Sequence, residues 1–316
     1  MDDFKVLIPL DGSRTAEHAL VYVDALRALG ETRVRLFSVV DETEDFHSMS
    51  PVEARERETN LLSTYLREVA GDIRQHVGIE VETRVVSGNP AACVLKEAHD
   101  YRPELMLIST HGRSGASRWR LGSVADKVIR SGDCNTLVIG PSANRNEAWL
   151  DARIMPPFRS VMVPLDGSQL AEQALEVAKP IVQTFDSTLH LVRAVPIPTL
   201  VDGYGVDVTY YPRLLEALEE GAREYLARLL AKLDPAARIT TAVSVGTPAV
   251  QLEQYATDHG IDLVVMTTHG RGGFVRAALG SVTDRLLGGP APVLVVRARV
   301  PAGAEDARRA RTAVGL

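Results

Sequence analysis

The amino-acid sequence predicts an α/β protein made of two tandem, doubly wound domains, each with a five-stranded parallel sheet. Three observations carry this. Short apolar runs of strand length alternate with longer segments of helical periodicity along the chain, the pattern of a parallel sheet with crossover helices. One stretch occurs twice: Thr110–Asp126 and Thr268–Asp284 agree at 11 of 17 positions without a gap, 158 residues apart, a domain-sized period rather than a solenoid's. The length of 316 residues suffices for two domains of about 150 residues, each able to bury its own core.

Composition removes several classes. Apolar residues at 45% and charged residues at 24% are ordinary globular values. The net charge of −6 argues against a nucleic-acid or anionic-membrane surface, since both need a basic footprint. The acidic group Asp41, Glu42, Glu44 and Asp45 reads as a solvated loop rather than a metal site. No apolar run reaches the roughly 18 residues of a membrane span. Met1-Asp2-Asp3 leads straight into a strand with no signal-peptide pattern. Two cysteines, Cys93 and Cys134, make no metal-ligand or CxxC pattern, so a reducing, cytoplasmic location is expected.

In the first half, residues 1–140, Lys5 to Leu10 is the opening strand and Asp11-Gly12-Ser13 its turn. Ala16, Ala19, Leu20, Val23, Leu26 and Leu29 then recur at helical spacing, with Ser13 placed to cap the helix and Gly30 to end it. Val34–Val40 is the second strand. A long helix runs over Pro51–His76, its apolar face drawn by Leu61, Leu62, Tyr65, Leu66 and Val69. Glu80–Val86 alternates as a third strand, and Pro90 opens a helix after Gly88-Asn89. Leu105–Ile108 and Thr136–Ile139 are strands four and five. Residues 141–157, rich in Asn, Pro and Arg, form the linker. The second half, 158–299, repeats this order: Val161-Met162-Val163-Pro164, strand two over Leu189–Val195, a long helix over Tyr211–Leu233, and a last strand at Val293–Val296. Residues 300–316 read as a mobile tail.

The repeated stretch has a chemistry of its own. Each copy follows a buried-strand pattern, Leu105–Ile108 or Leu263–Met266, passes through glycines, and opens a helix at Gly122-Ser123-Val124 or Gly280-Ser281-Val282. A strand, a Gly-rich loop and a helix N-terminus form a phosphate cradle, because the first N–H groups lack helical partners and the helix dipole favours an anion.

PLDGS at Pro9–Ser13 and Pro164–Ser168, the turns Gly88-Asn89-Pro90-Ala91 and Gly246-Thr247-Pro248-Ala249, and THGR followed by Gly-Ser-Val together resemble the universal stress protein family. The resemblance covers residues 4–140 and 159–298. It implies a Rossmann-like fold of the adenine-nucleotide α-hydrolase type, binding ATP with Mg2+ as the cation that would accompany it. Of the family pattern G-x-x-G-x9-G-[ST], Gly112 and Gly270 match the second glycine, and Gly122-Ser123 and Gly280-Ser281 the last two positions. Ser109 and Thr267 stand where the family has its first glycine, placing a small Cβ where backbone approaches the ligand. The resemblance puts the site at the carboxyl ends of strands one and four, beside Pro9, Ile108, Pro164 and Met266. Asp11 and Asp166 would meet the ribose or adenine end, and the backbones of Val40 and Val195 the adenine edge. Gly112, Arg113, Gly122, Ser123 and Val124, with Gly270, Arg271, Gly280, Ser281 and Val282, would surround the phosphates.

Plainer readings stand beside these. Ser123 with Asp126, and Ser281 with Asp284, fit a capping box that needs no ligand. Asp11 and Asp166 precede glycines and fit turn residues. Arg113, Arg271, Arg118 and Arg276 fit solvated loop residues, and His111 and His269 fit loop hydrogen bonding better than catalysis. Three classes therefore compete: a nucleotide-binding stress or signalling protein, an enzyme such as a slow ATPase, and an interaction scaffold with relic sites. Against the enzyme, the chain has no GxxxxGK[ST] loop, no SGGxDS loop after the first strand, and no evident Ser-His-Asp order. Two further expectations follow. The fifth strands of the halves should pair as in an intramolecular dimer, with further association of two chains left open. The second site should bind more tightly, because Gly272-Gly273 and Ala277-Ala278 replace Ser114-Gly115 and Trp119-Arg120.

Overall fold

The computed structural model describes residues 4–42, 50–110, 121–143, 158–197, 210–267 and 280–297. The first half contains β1 (Phe4–Pro9), a broken helical segment beginning with α1 (Arg14–Glu17) and including α2 (Val23–Leu26), then β2 (Thr32–Asp41) and α3 (Pro51–His76). It continues with β3 (Glu80–Gly88), α4 (Pro90–Tyr101), β4 (Leu105–Ser109), α5 (Ser123–Ser131) and β5 (Asn135–Ile139). The second half runs β6 (Ser160–Pro164), α6 (Gln169–Phe185), β7 (Thr188–Val195), α7 (Tyr210–Leu230) and β8 (Ile239–Val245). It closes with α8 (Pro248–Asp258), β9 (Leu263–Thr267), α9 (Ser281–Leu287) and β10 (Val293–Val296).

Two details differ from the sequence reading. The first helix is not continuous: 3₁₀ turns at His18–Tyr22 and Arg27–Leu29 interrupt it. Val21-Tyr22-Val23 sets β-branched and aromatic side chains in a row, which lowers helix propensity; the Ala- and Glu-rich α6 at the corresponding place is unbroken. On α3, Leu61 is exposed, and the buried face runs through Leu62, Leu66, Val69, Ala70 and Ile73. The 3.6-residue period places Leu61 a full 100° from Leu62 and so off that stripe.

The strands form one ten-stranded sheet in the order β3-β2-β1-β4-β5-β10-β9-β6-β7-β8. Within each half all pairings are parallel. Between the halves, β5 and β10 pair antiparallel, with Val293 opposite Val138, Leu294 opposite Leu137 and Val295 opposite Thr136. The carboxyl ends of the two parallel sets therefore point in opposite directions, toward opposite ends of the strands. Two apolar cores flank it. One gathers side chains from the first helical segment, α3, α6 and α7; the other from α4, α5, α8 and α9. Both run across the two halves. Tyr22 stacks on Phe158, which meets Phe185 edge-on.

The halves fill one equivalent place differently. On β2, Arg35 donates to Glu97 at 2.8 Å and lies 3.7 Å from the Tyr101 ring centre, where the buried Glu97 also meets Arg84. On β7, His190 is buried, its Nδ1 lies 3.0 Å from the Tyr255 hydroxyl, and Tyr255 stacks on His259. Burial holds the His190 pKa below its ordinary 6.5, with His259 adding to the effect, and burial also lowers His18 in the first half. The neutral imidazole is thus favoured in the folded chain. The stability tied to it is present above pH 6.5 and is lost as pH falls through the lower folded value.

Two outcomes follow. Melting temperature should fall as pH is lowered from 8 to 5, and His190→Gln should flatten that dependence, read by scanning calorimetry across the pH series. A Cβ built on Gly140 would lie 2.2 Å from the Leu287 carbonyl oxygen, across the join between the halves. Gly140→Ala should therefore destabilise by about 1–3 kcal/mol. Gly71→Ala in α3, where a Cβ meets nothing within 4 Å, should stabilise by roughly 0.5–1 kcal/mol. Urea midpoints of the two variants compare the effects directly.

Candidate functional site

β1 and β4 are neighbours from which the chain winds in opposite directions, to β2 and β3 on one side and β5 on the other. A crevice opens outside the carboxyl ends at such a switch point. In the second half the corresponding strands are β6 and β9.

At the end of β1, Gly12 turns the chain with φ of +81°, as Gly167 does after β6 with φ of +88°, backbone that a side chain would strain. The turn places Asp11, whose Oδ1 accepts from the Ser13 N–H at 2.9 Å and the Ser13 hydroxyl at 2.6 Å. Ser13 Oγ in turn accepts from the Ala16 N–H at 3.1 Å and caps α1. The second copy repeats this: Asp166 Oδ1 takes the Ser168 N–H at 2.9 Å, and Ser168 Oγ the Ala171 N–H at 3.1 Å. Asp11 and Asp166 are thus turn residues that fasten a helix start, and both stand at the crevice.

At the end of β4, Thr110 N–H donates to the Ile139 carbonyl at 3.0 Å, and Gly122 N–H to the Thr110 carbonyl at 2.7 Å. That second bond ties the start of α5 to the strand end it left. Gly122 is the N-cap of α5 and Gly280 that of α9, with extended backbone at φ of −58° and −65°. Ser123 and Ser281 are therefore first helical residues, exposed at the helix start. The capping-box reading does not hold in this form, because glycine occupies the capping position. Asp126 instead forms an ion pair with Arg130, 2.8 Å apart, one turn on. Val124 and Val282 pack partly onto the core beneath. Gly112, Arg113, Gly270 and Arg271 lie outside the described residues, as do His111, His269, Arg118, Arg276 and the loop differences on which unequal affinity was expected.

The strand-two backbone needs a shift of one residue. Successive residues of a strand point their backbone groups to opposite sides. The Phe37 carbonyl accepts from Leu10 on the β1 side, and the Val192 carbonyl from Leu165 on the β6 side. By alternation Val39 and Ala194 face the crevice, while Val40 and Val195 face away. The Val195 carbonyl accordingly takes the Gly246 N–H at 2.9 Å. Pro9 and Pro164 end their strands, and Ile108 and Met266 are buried one residue before theirs end.

Each half also brings a Glu–Tyr pair beside its aspartate, which the sequence reading did not single out. Tyr225 on α7 donates to Glu172 on α6 at 3.1 Å, and the Arg193 guanidinium lies 4.8 Å from the Tyr225 ring centre. Burial raises the Tyr225 phenol, helped by Glu172 and Asp166 and opposed by Arg193. Burial likewise raises the Tyr65 phenol, reinforced by Glu17 and Asp11. Both phenols keep their proton at neutral pH. The signal was present in the repeat: Glu17 and Glu172 each lie six residues after the aspartate, and Tyr-Leu recurs at 65–66 and 225–226.

Fold and site together define a doubly wound α/β protein with a helix-start crevice in each half. The universal stress protein family model matches residues 4–140 and 157–297, and the chain belongs to that family. It is 29% identical to universal stress protein Rv2005c of Mycobacterium tuberculosis over 225 residues, 69% of this chain and 70% of that one. Universal stress protein MJ0577 of Methanocaldococcus jannaschii is 31% identical over 43% of this chain and 93% of its own. A solved universal stress protein from Archaeoglobus fulgidus shares the fold, with a TM-score of 0.66 and 21% identity over 94% of this chain and 99% of that one. Among the described residues no helix is long and apolar enough to cross a membrane.

The serines should separate by role. Ser13→Ala and Ser168→Ala each remove a cap and should cost about 1 kcal/mol. Ser123→Ala and Ser281→Ala remove none and should stay within about 0.5 kcal/mol of the parent. Denaturant unfolding of the four variants measures the difference.

Proposed function

We propose that this chain is an adenine-nucleotide-binding protein of stress response or signalling, with ATP as ligand and binding rather than fast turnover as its output. What carries the reading is one juxtaposition, present in both halves. An aspartate after the first strand and a Gly–Ser helix start after the fourth meet at the carboxyl ends of adjacent parallel strands. A glycine at the N-cap leaves the first helical N–H groups open to an anion. Asp11 and Asp166 would take the ribose, Gly122-Ser123 and Gly280-Ser281 the phosphates. The Val39 and Ala194 backbones, which face the crevice, would take the adenine edge. Gly112, Arg113, Gly270 and Arg271 would close over the phosphates.

Among the described residues no three His, Cys, Asp or Glu side chains gather to hold a metal. Mg2+ would accordingly be held through the phosphate oxygens. The two halves would act as an intramolecular counterpart of a two-subunit assembly, with the two crevices at opposite ends of the strands.

Calorimetric titration of the full chain with ATP, ADP, AMP and cAMP tests the reading. Wild type should bind ATP. Ser123→Ala should weaken the first site by about 1.5–3 kcal/mol, roughly ten- to hundredfold, if its hydroxyl meets a charged phosphate. Among the described residues a Cβ on Gly280 meets no atom within 4 Å, so affinity lost in Gly280→Ala with unchanged stability would report the ligand's own need for that space. No binding of any nucleotide by wild type would favour the scaffold reading, and steady phosphate release at enzymatic rates the ATPase reading.

A further inference from the structure

The helix that starts at Gly122-Ser123 belongs to the first half, yet its far end is held by the second. Arg297 follows β10, and its backbone N–H donates to the side chain of Asn135 on β5, at Oδ1, 3.0 Å away. That bond fixes the backbone from which the side chain reaches the last turn of α5. There Nη2 donates to the Val128 carbonyl at 3.0 Å and the Ile129 carbonyl at 2.5 Å. The Val128 carbonyl also accepts the Gly132 N–H at 2.7 Å, whereas carbonyls beyond it in the last turn lack a partner within the helix, and a cation beside them is favoured by the dipole. Burying a guanidinium is costly unless it is hydrogen-bonded; these two carbonyls satisfy Nη2, while the buried Nε has no partner among the described residues. Gly132, which ends α5, leaves room for it: a Cβ there would lie 2.7 Å from the Val128 oxygen and 3.5 Å from Arg297 Nη2.

The arrangement is one-sided. The place that corresponds to Arg297 is held by Gly140, because Ile139 pairs with Ser109 as Val296 pairs with Thr267. The end of α9 is met by the backbone of Gly140 instead. Among the described residues, only the first half's helix takes a charged side chain from its neighbour at this junction.

We propose that Arg297 is a positioning residue for the first half's site, holding Gly122-Ser123 in place through α5 from the opposite end. The site role rests on the nucleotide reading above; the anchoring does not. Two measurements on the full chain separate them. In hydrogen exchange without nucleotide, Arg297→Ala should raise exchange of the α5 amides roughly five- to thirtyfold and leave α9 unchanged. Arg297→Lys should restore most of the protection, and Arg297→Gln serves if the alanine variant folds poorly. In ATP titration, Arg297→Ala should weaken, by roughly threefold or more, the component of binding that Gly122→Ala/Ser123→Ala removes, and add nothing in that double variant. Unchanged α5 exchange overturns the anchoring. Raised exchange with unchanged first-site affinity, or equal loss at both sites, overturns the positioning role. Absence of nucleotide binding by wild type overturns the nucleotide reading and the site role with it, while the exchange result still decides the anchoring.

Discussion

The antiparallel contact of β5 with β10 is the constraint on which the rest depends. Both strands are buried along most of their length and would otherwise present unpaired N–H and C=O groups at the edge of a sheet, a costly and adhesive surface. Joined to each other, they turn two five-stranded sheets into one and leave only β3 and β8 as edges. Their opposed directions also send the two crevices to opposite ends of the strands, so the proposed sites face away from each other. Coupling between them has to pass through packed helices and the central pair, not through a shared cavity.

Duplication has preserved the site frame more closely than the packing around it. The Asp-Gly-Ser turn and the Gly-Ser helix start keep their geometry in both copies, down to matching hydrogen-bond lengths of 2.9 Å from the aspartates. By contrast, a charged network of Arg35, Glu97 and Arg84 in one half is replaced by His190, Tyr255 and His259 in the other. A buried ion pair and a hydrogen-bonded His–Tyr pair can fill the same space, because what burial demands is that each polar group find a partner. Backbone at a helix start has no such freedom, since the proposed site depends on its geometry.

In the aspartates a structural role is compatible with the proposed functional one. Fastening Ser13 or Ser168 uses one carboxylate oxygen, Oδ1, and orients the group. Such fastening removes side-chain freedom before any ligand arrives, which lowers the entropy a ligand must overcome. The Glu–Tyr pairs behind them add a second layer, with phenols that stay protonated beside anionic neighbours.

By itself the sequence determined the duplication, the α/β class, nearly every strand, and the full extent of α3 and β10. These follow from local periodicity, capping residues and self-similarity, which neighbours in the chain suffice to specify. It also marked the Asp-Gly-Ser and Gly-Ser-Val motifs, because turns and helix starts demand particular residues. Tertiary structure alone decided that glycine, not serine, caps α5 and α9, and that Val39 and Ala194 rather than Val40 and Val195 face the crevice. One-residue choices of this kind depend on hydrogen-bond direction between strands, which side-chain patterns do not encode. The reach of Arg297 into the other half was likewise invisible, since its acceptors are carbonyl oxygens nearly 170 residues away, and a backbone carbonyl has no signature in the sequence.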